Sequence, residues 1–190
     1  MYIEQKKIKI LAVSALMLIG SVAAIDNPGG LIAEGPDLGQ PATAEEVTAL
    51  SINVFPDGRG LPEGTGSVTQ GASIYKSKCI VCHGAGGFGG SAEPLAGAEM
   101  GLTGEWPEKT IGTLWPYATT LFDFTRRSMP MTAPGSLSND ETYALTAYLL
   151  YLNGIVDENL VLNKETIMQV KMPNVDGFIN IYQQEKQKNK

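Results

Sequence analysis

Apolar residues fall at helical spacing in two long stretches of this chain and run together without interruption in a third. Gly71, Ile74, Tyr75 and Lys78 recur every three to four residues, so Ser67 to Cys82 is expected to be helical, with Ser67 as N-cap. A second helix is expected from Asn139 to Asn153. Leu145, Tyr148, Leu149 and Leu152 make its stripe, broadened by Ala144, Ala147 and Tyr151. Ser138-Asn139-Asp140-Glu141 spells a capping box before it, and Gly154 stands where a left-handed C-terminal residue belongs. Pro116 is placed to open a further helix running to about Arg127, ended by Met129-Pro130.

Between and around these helices the pattern lapses. Residues 25–66 are rich in Pro and Gly and predict an extended arm with one helical turn at Thr43–Leu50. A glycine-heavy loop follows from Gly84 to Gly90. Residues 155–190 are expected to form a tail that packs back on the body as far as Phe178 and frays at its end. With no repeat and no sustained strand alternation, the fold class is all-α.

The uninterrupted apolar run is N-terminal. Lys6, Lys7 and Lys9 precede Ile10–Ile19, and small residues gather around Ala24, the order of a secretory signal spanning residues 1–24. From Ile10 to Ile25 the run is 16 residues, short of the ~20 that cross a bilayer comfortably. An uncleaved anchor is the alternative, and either one implies export, to the periplasm. Loss of three lysines and one glutamate with the signal takes the net charge from −6 to −8. Asp26 to Gln70 holds seven acidic residues against Arg59 alone. That balance speaks against nucleic acid or an anionic membrane surface as partner.

The 190 residues include one histidine and two cysteines. A closed zinc site of Cys and His is therefore one ligand short, and a Ser-His-Asp or Cys-His hydrolase would have to use His83. All three residues fall in Cys79-Ile80-Val81-Cys82-His83. Two thiols three positions apart can form thioethers with the two vinyl groups of a haem, and the next residue then turns its imidazole toward the iron. A thioredoxin-like Cys-x-x-Cys needs a preceding strand, and here a helix precedes. A three-ligand zinc site would strain the adjacent Cys82 and His83, and coincidence or a structural disulfide is the remaining alternative. Covalent haem c is the favoured reading, and export fits it, because attachment occurs outside the bacterial cytoplasm.

A sixth iron ligand cannot be a second histidine. Methionine suits it, since a soft thioether favours Fe(II). Met1 and Met17 leave with the signal. Met129, 46 residues after His83, is fixed between a helix end and Pro130 and is the first candidate, with Met131 the runner-up and Met100 and Met172 behind. Any one of them can equally be core filler.

With these residues in view, the chain resembles a class I cytochrome c over residues 67–154. Gly71 and Tyr75 match the family's N-terminal helix, and Leu145 and Tyr148 the partners that cross it from the last helix. Pro94, in Pro94-Leu95-Ala96-Gly97, matches the proline whose carbonyl accepts the hydrogen bond of the proximal imidazole. The resemblance implies N- and C-terminal helices crossing over a covalently bound haem, with arm and tail outside it. A narrower resemblance, from about residue 52 to 179, rests on Val54-Phe55-Pro56-Asp57-Gly58-Arg59-Gly60-Leu61-Pro62, Trp115-Pro116-Tyr117, Arg126-Arg127-Ser128-Met129-Pro130 and Lys171-Met172-Pro173-Asn174. It is similar to the cytochrome c subunit that partners molybdenum sulfite and sulfane dehydrogenases of bacterial sulfur oxidation. That family's sulfane enzyme carries a second haem domain in its cytochrome, whereas this chain has one Cys-x-x-Cys-His. In this picture Trp115, Tyr117, Arg126 and Arg127 are candidates to hold the haem propionates, or only to wall the pocket or meet solvent.

The expected role is that of a mono-haem electron carrier between a molybdenum-cofactor dehydrogenase and a downstream cytochrome or oxidase, with no substrate chemistry of its own. Two rivals share the haem: a generic shuttle to a terminal oxidase, and a gas-binding or catalytic cytochrome with an open sixth position.

Overall fold

A computed structural model describes residues 39–179. The expected signal segment and the last residues lie outside the described residues. The packed unit begins at Ala44. Its elements in chain order are α1 (Ala44–Leu50), β1 (Thr65–Ser67), α2 (Val68–Lys78), α3 (Ile80–His83), α4 (Ile111–Leu114), α5 (Ala118–Ser128), α6 (Asn139–Leu152) and β2 (Val161–Asn163), then a 3-10 turn at Ile167–Gln169.

Both expected N-caps form. The Ser67 hydroxyl accepts from the Gln70 N–H while the Gln70 side chain accepts from the Ser67 N–H, and Ser138 and Glu141 do the same at α6. These reciprocal bonds satisfy amides that a helix start otherwise leaves open. At the other end of α6, Gly154 adopts φ +65°. Its N–H donates to Tyr151, and the Ile155 N–H to Leu150, the paired bonds of a Schellman termination.

The centre of the fold is the contact between α2 and α6. A β-carbon placed on Gly71 would stand 2.0 Å from the Ala144 carbonyl oxygen, so only glycine lets the two backbones meet there. The Tyr75 and Tyr148 rings lie 5.3 Å apart beside this crossing. Tyr148 thus takes the expected part, and Ala144 joins it at Gly71, while Leu145 is buried in the core. Two small residues facing each other bring the backbones closer than a leucine would allow.

The stripe expected on α6 is too narrow. Tyr143, Leu150, Thr142 and Thr146 are fully buried along with Leu145, whereas Tyr151 is exposed. Other chain segments enclose the helix on most sides, and its two buried threonines answer by turning their hydroxyls back onto the Ser138 and Thr142 carbonyls.

Two other expectations shift. The helix expected from Ser67 to Cys82 ends at Lys78, because Cys79 leaves helical geometry before α3 begins. The helix expected at Pro116 starts two residues later, with Tyr117 extended as its N-cap. Pro116 is therefore part of the approach rather than the first turn.

Neither flank is peripheral to the core. Val54 and Leu61, in the segment expected to be arm, are buried, and the Tyr143 hydroxyl donates to the Pro62 carbonyl. Burial pushes the Tyr143 phenol up to about 12, so it remains a donor across the ordinary pH range. From the tail, Leu162, Ile167 and Met172 enter the same core, and β2 pairs antiparallel with β1, Gly66 opposite Leu162. Packing ends near Asn174, whose side chain donates to the Leu114 carbonyl, and Phe178 is exposed rather than packed.

Candidate functional site

The break at Cys79 sets the geometry of the site. Residues 80–83 make one helical turn in which the Cys82 and His83 amides donate to the Cys79 carbonyl, and the Gly84 amide to that of Ile80. Cys79 is half-buried and Cys82 exposed, both as free thiols. Burial pushes the Cys79 thiol up to about 11, against the pull of the neighbouring Lys78 ammonium.

His83 Nδ1 lies 3.1 Å from the carbonyl oxygen of Glu93. A carbonyl can only accept, so Nδ1 carries the proton and Nε2 is left as the ring's electron-pair donor. The acceptor expected from the family resemblance was the carbonyl of Pro94; it is that of the preceding residue. Proline fixes its own φ and has no N–H, and Leu95 beyond it is tied to Gly87, which leaves the Glu93 carbonyl facing the ring.

The loop that carries this carbonyl is held at several points. Leu95 donates to the Gly87 carbonyl at 2.7 Å, Ala92 to that of Cys82 at 2.9 Å, and the Tyr75 hydroxyl to that of Gly84 at 2.9 Å. Asn153 adds a long-range tie that its sequence position did not reveal. Its amide donates to Leu95 and Leu149 carbonyls, and its oxygen accepts from the Gly112 N–H. The end of α6, the turn of α4 and the loop after His83 are thereby joined through one side chain.

The five described methionines differ in their settings. Met172 is buried within the apolar core, and Met131 is 78% exposed. Met100 and Met168 are also exposed, the latter with its sulfur beside Gly58. Met129 is half-buried as the C-cap of α5, its N–H bonded to the Thr125 carbonyl and its peptide bond to Pro130 cis.

Trp115 is half-buried and meets Phe124 edge-on at 5.6 Å, while Tyr117 is partly exposed at the start of α5. The two arginines have protein partners. Arg127 donates through Nε and Nη2 to the Asp123 carboxylate, and Arg126 reaches the Ile52 carbonyl at 3.3 Å. Asp123 was missed in the sequence, where the only signal was its spacing of four residues from Arg127.

The family model for cytochrome c matches residues 68–153. A chain in the crystal structure of the sulfane dehydrogenase SoxCD from Paracoccus pantotrophus is 42% identical, with a TM-score of 0.72 over 80% of this chain and 75% of that one. The chain belongs to the cytochrome c family. This cytochrome is also 28% identical over 126 residues to a thiosulfate dehydrogenase of Stutzerimonas stutzeri (strain A1501). That match covers 65% of the cytochrome and only 39% of the curated relative's length. The cofactor is a single covalently attached haem c, and the donor set suits it. Two free thiols three positions apart adjoin an imidazole whose proton is fixed on the nitrogen away from a metal.

Proposed function

We propose that this cytochrome is the electron-transfer partner of an exported dehydrogenase, a molybdenum enzyme oxidising sulfite or another reduced sulfur compound, and passes electrons singly to a downstream cytochrome or oxidase. The observation that carries the proposal is the likeness to the sulfane dehydrogenase chain. It takes in 80% of the cytochrome, well beyond the haem-domain match at 68–153, so the flanks are shared as well as the generic fold. Among the described residues no helix is long and apolar enough to cross a membrane.

Haem c, when bound, supplies a one-electron iron couple. The chain's own residues attach, orient and shield it. Cys79 and Cys82 are assigned the two thioether links and His83 Nε2 the fifth iron position, with the Glu93 carbonyl holding the ring's orientation. Met129 is assigned the sixth. Its half-buried place at the end of α5 supports this, against a core role for Met172 and the open exposure of Met131. Trp115 and Tyr117 are assigned to the pocket wall. A site fixed by this many hydrogen bonds reorganises little on a change of charge, which is what a carrier needs.

Affinity purification of the exported holoprotein under mild conditions tests the partner. The expected result is a co-purifying molybdenum protein that reduces the cytochrome when sulfite or another reduced sulfur compound is added. A cytochrome that recovers no such protein, and is reduced by none, overturns the sulfur assignment. Rapid binding of carbon monoxide by the ferrous form would instead favour an open sixth position.

A further inference from the structure

We propose that Asp123 is a positioning residue for Met129, acting as a clamp that fixes the end of α5 against the extended segment around Val54. The proposal rests on the assignment of Met129 as an iron ligand.

Asp123 is 8% exposed, on the buried side of α5. Its Oδ1 accepts from the Val54 N–H at 2.8 Å, and its Oδ2 accepts from Arg127 Nε at 2.9 Å and from Nη2 at 2.5 Å. Both carboxylate oxygens are therefore committed, one to a segment 69 residues away and one to the next turn of its own helix. Arg127 stands two residues before Met129. Arg126, beside it, donates to the Ile52 carbonyl, so two consecutive residues of the last turn are tied directly or through Asp123 to residues 52–54. Val54 is itself buried, which seats that segment in the core.

A carboxylate taken out of water is costly unless paired and hydrogen-bonded, and a whole pair of this kind can often be replaced by packed apolar residues without loss of stability. What an apolar residue cannot do is hold a backbone amide of one segment and a guanidinium of another in a fixed relation. From the middle of α5 this relation reaches the last turn through Arg127, and so bears on how the C-cap, Met129, leaves the helix. The clamp makes position, rather than stability, the principal product of the buried charge.

The experiment uses ferric holoprotein and follows the weak absorption band of methionine-bound iron while imidazole is titrated in as a competitor. Asp123→Ala is expected to raise the apparent imidazole affinity about tenfold, since loss of the clamp increases the population with the methionine displaced. It should also speed hydrogen exchange at the Val54 amide at least tenfold. Asp123→Asn, which keeps an acceptor for Val54 but no charge for Arg127, is expected to fall between Asp123→Ala and the parent and guards against a variant that fails to fold. Glu141→Gln, a destabilising change that touches none of the clamp's hydrogen bonds, should leave the imidazole affinity unchanged. Two results overturn the proposal. In one, the Asp123 variants lose thermal stability as Glu141→Gln does while imidazole affinity and Val54 exchange do not move. In the other, Met129→Leu retains the methionine band, which would remove the ligand assignment itself; loss of the band in Met129→Leu with unmoved Asp123 variants isolates the failure to the clamp.

Discussion

His83 and Asn153 illustrate how single polar side chains hold the candidate site in register. The imidazole needs one acceptor, and a backbone carbonyl supplies it. Glu93→Ala is therefore expected to leave the spectrum of the holoprotein unchanged, because the side chain at 93 takes no part in that bond. Asn153 is the opposite case, since its own amide makes three hydrogen bonds to the loop, to α4 and to α6. Asn153→Ala is expected to cost about 1–3 kcal/mol in denaturant unfolding, as the Gly112 amide and the Leu95 carbonyl lose a partner. At this scale the residues assigned to haem attachment could be singled out, because Cys79, Cys82 and His83 fall within five residues and their spacing is chemical. The carbonyl that orients His83 was placed one residue off, since the direction of a carbonyl follows backbone torsions and not residue type. Asp123 and Asn153 stayed hidden for a related reason: each acts on residues at least 41 positions away as well as on its own turn.

At the scale of elements, α2 and α6 depend on a close approach and on one ion pair. Gly71→Ala puts a methyl group on the Ala144 carbonyl and is expected to lower stability by about 3 kcal/mol or more, read as a fall in Tm and in haem retention. Lys78 and Glu141 join the two helices at 2.7 Å, both partly exposed. The Lys78 ammonium, with the capping bond to Ser138, holds the Glu141 carboxyl below its usual range. A group with a depressed pKa in the folded state stabilises at pH values above its unfolded pKa, and that stabilisation is lost as pH falls through the folded value. Glu141→Gln keeps the capping box but loses the charge. It is expected to cost about 0.5–1 kcal/mol at neutral pH, with the difference from the parent closing as the solution is acidified below the ordinary glutamate range. The capped ends of these helices were readable because capping is local. The strand pair was not, because Thr65 and Asn163 are joined by position in space with only three residues on either side.

For the whole molecule, the boundary expected at residue 66 cuts through the core. Val54 and Leu61 before it and Leu162, Ile167 and Met172 after the haem domain share one apolar cluster with α2, α5 and α6. Leu162→Ala is expected to cost about 2–5 kcal/mol, comparable with a leucine lost from the middle of α6, and a chemical denaturation curve measures it directly. The pairing of β1 with β2 carries a consequence in time. A ribosome delivers Cys79, Cys82 and His83 long before it delivers Ala144, which meets Gly71, or Leu162, which lies opposite Gly66. Until those late residues arrive, the nascent chain lacks the contacts that close the two ends of the domain on each other. Cys79, half-buried in the folded chain, is thus enclosed only when the C-terminal third is in place, whereas Cys82 stays open to solvent before and after.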